Sequence, residues 1–267
     1  MTTTTDVRVL AERAATLRAL HHGAEPLLLA NAWDAASARL VAEAGLPAVA
    51  TTSSGVAAAL GYQDGDQMPV DEAFAAVARI ARSVEVPVTA DMEAGYGLSA
   101  EAFVERLLQA GAVGCNLEDT DHTANKTLRS LEAQAEWLRS VKIAARTAGV
   151  DIVVNARVDT FIRNHSETDA DIADALARAA AYLAAGADSI YPILIFQEST
   201  ISRLVNSIPA PINIFAHPQA PPVPRLAALG VKRVSFAGRL QASAMADLTH
   251  RLTAIKNGQS PYEPISP

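Results

Sequence analysis

Five times along this chain a helical stretch closes on Ala-Gly or Leu-Gly and a short β-branched run follows within a few residues. The junctions are Ala44-Gly45, Ala110-Gly111, Ala148-Gly149, Ala185-Gly186 and Leu229-Gly230. Glycine at such a point takes the left-handed conformation that ends a helix, so each junction marks a unit of helix, glycine and strand. Eight short apolar runs qualify as strands: Leu27 to Asn31, Ala48 to Ser53, Val86 to Asp91, Val113 to Glu118, Ile152 to Arg157, Ser189 to Ile193, Ile212 to Ala216 and Arg233 to Ala237. Ala-rich amphipathic stretches lie between them, among them Asp71 to Ser83, Ala100 to Ala110, Leu131 to Ala148 and Asp169 to Ala185. This alternation means parallel strands joined by helical crossovers. A doubly wound open sheet shares the pattern. Eight units in 267 residues, with no Gly-rich phosphate fingerprint after the first strand, favour a closed (β/α)8 TIM barrel in one domain over residues 1–267. Residues 6–22 read as an extra helix that closes the bottom of the barrel, and residues 258–267, rich in Pro and Ser, as a tail.

Half of the residues are apolar, enough at this length to bury a large core. The formal charge of −7, from 29 acidic and 22 basic residues, comes without a dense Lys/Arg cluster and argues against a nucleic-acid or anionic-membrane partner. No apolar run approaches the roughly 20 residues of a spanning helix. The lone Cys115 excludes an intrachain disulfide, and MTTTTDVRVL has neither the basic start nor the apolar run of a signal peptide. The expected setting is the cytoplasm and the expected partner a small molecule. Zinc and thiol chemistry are disfavoured, because the histidines show no paired ligand spacing and Cys115 falls inside a strand run.

A barrel of this kind carries its active site where strands end and βα loops begin. Those ends are polar here: Thr51-Thr52-Ser53-Ser54-Gly55 after strand two, Asp91-Met92-Glu93 after strand three, Asn116-Leu117-Glu118-Asp119 after strand four and Asn155-Ala156-Arg157-Val158-Asp159 after strand five. Asp91 and Glu93 are two apart and on a strand face one side, where Glu118 from the neighbouring strand meets them. Carboxylates a few ångströms apart repel by about 1 kcal/mol or more per pair at intermediate dielectric, so a proton or a cation must intervene. Mg2+ suits such a cup because it prefers oxygen ligands and keeps waters that further carboxylates hold; Mn2+ is the alternative ion. Singly, Asp119 and Asp159 read as helix caps or ion-pair partners, whereas Asp91, Glu93 and Glu118 together read as a metal site. Arg157 is placed either to clamp a substrate carboxylate or to pair with Glu118 or Asp159. The Ser53-Ser54-Gly55 turn offers hydroxyls and amides to an anion, and His122 reaches the site if its loop closes.

The runs LLLANAWDAASARLVAEAGLPAVATTSSGVAAALGYQDGD, PVTADMEAGYG, GCNLEDT and NARVDT resemble the isocitrate lyase and phosphoenolpyruvate mutase superfamily, collinearly from about residue 27 to residue 240. The most specific element is ADMEAGYG followed by NLED at the next strand. The resemblance implies a (β/α)8 barrel, a homodimer or homotetramer that swaps its C-terminal helix between partners, and Mg2+ bound with a 2-oxo acid or its enolate. It implies Asp91 as the direct metal ligand, with Glu93, Glu118 and Asp64 on metal-bound waters. Ser54 and Gly55, with Ser53 beside them, would bind a substrate carboxylate or oxo group, Arg157 the substrate's other end, and Asn31 and Trp33 would line the same pocket.

The loop after strand four departs from the resemblance. Isocitrate and methylisocitrate lyases carry a Lys-Arg/Lys-Cys-Gly-His loop there, whereas this chain reads Thr120-Asp121-His122-Thr123-Ala124-Asn125-Lys126. Thr120 also replaces the lysine that follows Glu-Asp in the mutases and phosphonopyruvate hydrolases. The chemistries that ask less of this loop are favoured: a Mg-dependent lyase that cleaves a C–C bond of a small 2-oxo or 2-hydroxy carboxylic acid, as in oxaloacetate decarboxylation, through a metal-stabilised enolate. His122 and Tyr62 are the candidates for reprotonating that enolate. Two alternatives stand beside this reading: a P–C bond mutase or hydrolase acting on a phosphonate such as phosphonopyruvate, and a catalytically silent barrel that keeps the cup for ligand binding.

Overall fold

The computed structural model describes residues 6–262. All five junction glycines adopt positive φ, from 80° at Gly45 to 103° at Gly186, where an L side chain would be strained. Strand β1 runs as Leu27–Leu29 and, past a break at Ala30, as Asn31–Ala32. Then come β2 (Val49–Thr51), β3 (Val88–Asp91), β4 (Gly114–Glu118), β5 (Val153–Val158), β6 (Ser189–Pro192), β7 (Asn213–Phe215) and β8 (Arg233–Ser235). Every pairing among them is parallel. The second part of β1 pairs with β2, the order continues through β3, β4, β5 and β6, a bridge between Ile190 and Ile212 leads to β7, and β7 pairs with β8. The first part of β1 pairs with β8, so the circuit closes into a barrel, and the break at Ala30 is where β1 changes partner.

The helices are α1 (Val7–Leu20), α2 (Ala35–Glu43), α3 (Ser53–Leu60), α4 (Val70–Ala81), α5 (Ala100–Gln109), α6 (Leu131–Thr147), α7 (Thr160–Asn164), α8 (Asp169–Ala184), α9 (Glu198–Ser207), α10 (Val223–Ala228) and α11 (Arg239–Lys256). Helix α1 is the expected extra helix. It buries Leu10, Ala14 and Leu17, one face of a helix at a period near 3.6. Leu17 rests on Gly114 so closely that a Cβ there would lie 2.7 Å from the leucine and 3.0 Å from the Val153 carbonyl. Arg18 donates to Asp188 and to the Asp151 carbonyl, both at 2.8 Å. The helix thus seals the end of the barrel opposite the βα loops.

Two features differ from the sequence-based expectation. The Ser53-Ser54-Gly55 segment is the first turn of α3 rather than a free turn, because Thr52 caps that helix through Oγ1 and ends β2 at Thr51. The loop after β4 folds into a small antiparallel hairpin, Thr120–Asp121 against Thr127–Leu128. Helix α11 buries no residue and leaves Leu240, Met245, Leu248, Leu252 and Ile255 exposed. Of the expected tail, residues 258–262 follow α11, with Arg251 Nη1 donating to the Pro261 carbonyl at 2.6 Å, and residues 263–267 lie outside the described part. Among the described residues no helix is long and apolar enough to cross a membrane.

At the sealed end, buried His21 meets the Leu17 carbonyl through Nδ1 at 2.8 Å, and its Nε2 lies 3.2 Å from Arg233 Nη1. Nε2 must accept from the guanidinium, so the imidazole is neutral. Burial first, and then the Arg233 charge, push the His21 pKa down to about 4. The unfolded chain takes up this proton at its ordinary 6.5, so the contribution to stability is complete above pH 6.5, shrinks as pH falls towards 4 and is gone below that. Urea unfolding at pH 7.5 and pH 4 should therefore differ by about 3 kcal/mol more in the wild type than in His21→Gln. Equal pH dependence in the two proteins would contradict a neutral buried His21.

Candidate active site

Asp91 ends β3, and both of its carboxylate oxygens are engaged. Oδ2 accepts from Ser53 N at 3.0 Å and Ser53 Oγ at 2.9 Å, and Oδ1 accepts from Asn116 Nδ2 at 3.3 Å. Its own amide donates to Thr51 Oγ1 at 2.8 Å. The first turn of α3 therefore sits on the acid that ends β3, a favourable place for a carboxylate at a helix N-terminus. Glu93 does not reach the site by strand alternation as expected. The strand has already ended at Asp91, and Glu93 takes a left-handed φ of 49°. That turn buries the side chain, where Oε1 accepts from Tyr96 Oη at 2.7 Å and Oε2 accepts from the Asp66 amide. Desolvation raises the Glu93 pKa to about 7.

Glu118 ends β4 and is buried between His122 and Arg157. Oε1 lies 2.5 Å from His122 Nε2, and Oε2 lies 2.6 Å from Arg157 Nη2. Desolvation lifts its pKa well above the carboxylate range, against the pull of Arg157. Burial opposes charge on His122, but the hydrogen bond and charge of Glu118, followed by Asp66 and Glu93, outweigh it and raise the imidazole pKa. His122 and Glu118 are thus joined by a side-chain hydrogen bond at the cavity. Asp64 is exposed as a residue, yet its carboxyl faces this group. Desolvation and then the charge of Asp91 raise its pKa.

Arg157 is largely committed. Nε and Nη2 hold Asp159 at 2.6 and 2.8 Å while Nη2 also reaches Glu118. Asp159 in turn accepts from Thr120 Oγ1 at 2.5 Å, and its amide donates to Asp119 Oδ1 at 2.9 Å. Asp119 is fully buried, with Oδ2 accepting from Tyr182 Oη at 2.7 Å and Arg178 Nη1 at 3.1 Å. Asp119 and Asp159 thus act as ion-pair partners that fix the ends of β4 and β5.

Ser53, Asp64, Glu93, Glu118, His122 and Arg157 line one cavity of about 360 Å3, and Asp91 adjoins it through Ser53. Asn31, Trp33, Ser54 and Gly55 lie beside this cavity without lining it. Asn31 bonds the Thr51 carbonyl and the Phe236 amide, both at 2.8 Å, and so ties β1 to its neighbours. Trp33 packs against Gly55, where a Cβ would come within 3.2 Å of it. Tyr62 is outside the cavity, its hydroxyl donating to Glu72 at 2.7 Å, because Gly61 turns the chain left-handed at the end of α3. Sequence reasoning missed Asp66. Asp66, Glu93 and His122 each present a ligand atom within 4.8 Å of the others, and the signal was the second acid of Asp64-Gly65-Asp66. The donor set fits a hard divalent cation: carboxylates dominate, burial raises the pKa of several, and Asp66 Oδ1 is buried without a hydrogen-bond partner.

The fold and the site together are a parallel (β/α)8 barrel with an acidic cup at its strand ends. The sequence profile of the phosphoenolpyruvate phosphomutase family matches residues 17–256, and the chain belongs to that family, within the isocitrate lyase and phosphoenolpyruvate mutase superfamily. The fold is similar to the solved structure of a phosphonomutase candidate from Burkholderia cenocepacia J2315, with a TM-score of 0.86, 39% identity and coverage of 91% of this chain and 99% of that one. An uncharacterized protein of Mycobacterium tuberculosis is 31% identical over 241 residues, 90% of this chain and 88% of the relative. An oxaloacetate decarboxylase of Rhodopseudomonas palustris is 28% identical, covering 94% of this chain and 87% of its own.

The division between frame and cup carries a stability prediction. Asp119→Ala leaves Arg178 and the Tyr182 hydroxyl short of a buried partner and should cost about 3 kcal/mol or more in urea unfolding. A loss below about 1 kcal/mol would show that Asp119 is not a frame residue.

Proposed function

We propose that the protein is a Mg2+-dependent lyase that cleaves a C–C bond in a small 2-oxo or 2-hydroxy carboxylic acid, in the manner of an oxaloacetate decarboxylase. The observation that carries this reading is the meeting of Glu93, Glu118 and Asp64 with Asp91, His122 and Arg157 around one cavity at the barrel mouth. The similarity to an oxaloacetate decarboxylase over nearly the whole chain supports it. Asp91 would hold the metal directly, and Glu93, Glu118 and Asp64, with Asp66 beside them, would hold its waters. The chemistry supplied by Mg2+ or Mn2+ when bound is Lewis-acid polarisation of the substrate's carboxylate and 2-oxo oxygens.

The geometry supports the remaining roles as follows. Ser53, Ser54 and Gly55, in the first turn of α3, offer amides and hydroxyls at a helix N-terminus to the substrate's oxygens. Asn31 and Trp33 hold that turn in place from β1. Arg157 supplies positive charge next to the enolate oxygen through the part of its guanidinium that Asp159 and Glu118 leave open. His122, carrying the proton it shares with Glu118, reprotonates the enolate carbon after the bond breaks. It is preferred to Tyr62, whose hydroxyl is tied to Glu72 outside the cavity. The exposed apolar residues of α11 support a homo-oligomer in which a second copy covers that helix. A second reading, P–C chemistry on a phosphonate, is favoured by the 39% identity to a phosphonomutase candidate.

An assay of metal-stripped and Mg2+-loaded protein on 2-oxo and 2-hydroxy acids, with phosphonopyruvate in the same panel, tests the reading. Turnover of a carboxylic acid should appear only with Mg2+ or Mn2+. His122→Asn should lower kcat by about 100-fold, and Tyr62→Phe should stay near the wild type. Release of phosphate from phosphonopyruvate without C–C cleavage would favour the second reading. No turnover of any compound would leave the silent barrel.

A further inference from the structure

Below its mouth the barrel is polar inside. Thr89, Asn116, Asn155, Ser189, Asn213 and Arg233, one from each strand from β3 to β8, are buried in a space that such barrels usually fill with branched apolar side chains. Arg233 is the largest of them. In a closed circuit of eight strands β8 lies opposite β4, so the donation from Arg233 Nη2 to Asn116 Oδ1 at 3.0 Å crosses the interior. Nη1 donates to His21 Nε2 at 3.2 Å, and Nε is buried without a hydrogen-bond partner. Among the described residues Arg233 makes no ion pair, whereas the other buried cations Lys142 and Arg178 hold Asp188 and Asp119. Burial pushes its guanidinium down to about 10, so it stays charged at neutral pH. A buried charge without a counter-ion destabilises a fold, and an apolar side chain of the same length would fill the space. Packing therefore does not account for an arginine at this position.

The guanidinium fixes the orientation of an amide. Asn116 Oδ1 accepts from Arg233 Nη2 and also from Asn155 Nδ2 at 2.8 Å, and Asn155 is itself held by Ser189 Oγ at 2.6 Å. With its oxygen taken by two donors, the NH2 end of Asn116 must face the other way, where it donates to Asp91 Oδ1 at 3.3 Å. Ser53 occupies Asp91 Oδ2 through its amide and hydroxyl. Among the described residues Asn116 is the one donor to Oδ1, so the rotation of the Asp91 carboxylate is set by an amide that Arg233 orients. The far side of the guanidinium is fixed as well. His21 gives its Nδ1 proton to the Leu17 carbonyl and keeps Nε2 free to accept from Nη1.

We propose that Arg233 is a positioning residue for Asp91, acting through Asn116 from inside the barrel. This inference rests on the reading of Asp91 as the direct ligand of Mg2+. The guanidinium acts on a cation at Asp91 in two opposite ways. Its charge repels the ion, whereas the amide it orients presents the carboxylate in one rotamer, so that little ordering remains to be done when the ion arrives. Positioning outweighs repulsion, and the two effects predict opposite outcomes when the arginine is removed.

Calorimetric titration of metal-stripped protein with Mg2+, with urea unfolding of the same samples, separates them. Arg233→Met keeps the length of the side chain and removes its charge and its donors. It should unfold at a urea concentration equal to or above that of the wild type, because an unpaired buried charge is gone, and should bind Mg2+ at least about tenfold more weakly. Asn116→Ala should weaken Mg2+ binding by a similar factor. Adding Arg233→Met to it should change the affinity by less than about threefold, because no amide is left to orient. If Arg233→Met does not fold, Arg233→Lys serves in its place: the charge stays, the planar fork that spans His21 and Asn116 is lost, and Mg2+ binding should still fall at least about threefold. Mg2+ binding by the folded variant as tight as or tighter than that of the wild type, a loss of affinity that comes only with a lowered urea midpoint, or effects of the two substitutions that simply add would overturn the positioning role. A folded wild type that takes up no Mg2+ would instead overturn the reading of Asp91 as a metal ligand.

Discussion

Carboxylates gathered in a space with little water cannot all stay ionised, and the mouth of this barrel is organised around that constraint. Asp91, Glu93, Glu118, Asp64 and Asp66 come from β3 and the turn after it, β4 and the loop after α3. Burial raises the pKa of four of them. Without a cation the strain is met by whatever positive or hydrogen-bonding groups are at hand: His122 and Arg157 on Glu118, Tyr96 and the Asp66 amide on Glu93, and the start of α3 on Asp91. A divalent ion would meet the same need with one charge centre and release these partners for work on a substrate.

That release requires a frame that does not move. The closed strand circuit brings all eight strand ends to one face, and the buried set Asp119, Arg178 and Tyr182, joined through the Asp159 amide, fixes the ends of β4 and β5. At the other end α1 lays Leu17 on Gly114 and places His21 against Arg233. Arg233 donates onward to Asn116, which donates to Asp91, so a chain of side chains links the sealed end to the acid at the mouth. Rigid strands hold Asp91 and Glu118, and the short segments after β4 and β5 bring His122, Lys126, Arg163 and His165 to the same cavity.

The barrel was legible because its signals are local. Apolar runs of strand length and glycines that stop helices recur along the chain, and their order defines a βα repeat without any tertiary information. The acids at the strand ends were legible for the same reason. What escaped depends on how the chain turns after a strand stops. Glu93 joins the cup through a left-handed residue, not strand alternation, and Asp66 joins it because its amide caps Glu93. Tyr62 was a candidate proton donor, but a helix of eight residues ending at left-handed Gly61 leaves its hydroxyl on Glu72 outside the cavity. The pairing of Arg157 with Asp159 was one of two outcomes open at the sequence level, and only the positions of β4 and β5 decide between them.

The most direct test of the account is calorimetric titration of metal-stripped protein with Mg2+ and then with oxalate, a planar mimic of the pyruvate enolate, alongside Asp91→Ala. The account predicts that oxalate binds only after Mg2+ and that Asp91→Ala, still folded, loses both events. Folded wild-type protein that takes up neither ligand, or an Asp91→Ala variant that binds both as the wild type does, would contradict it.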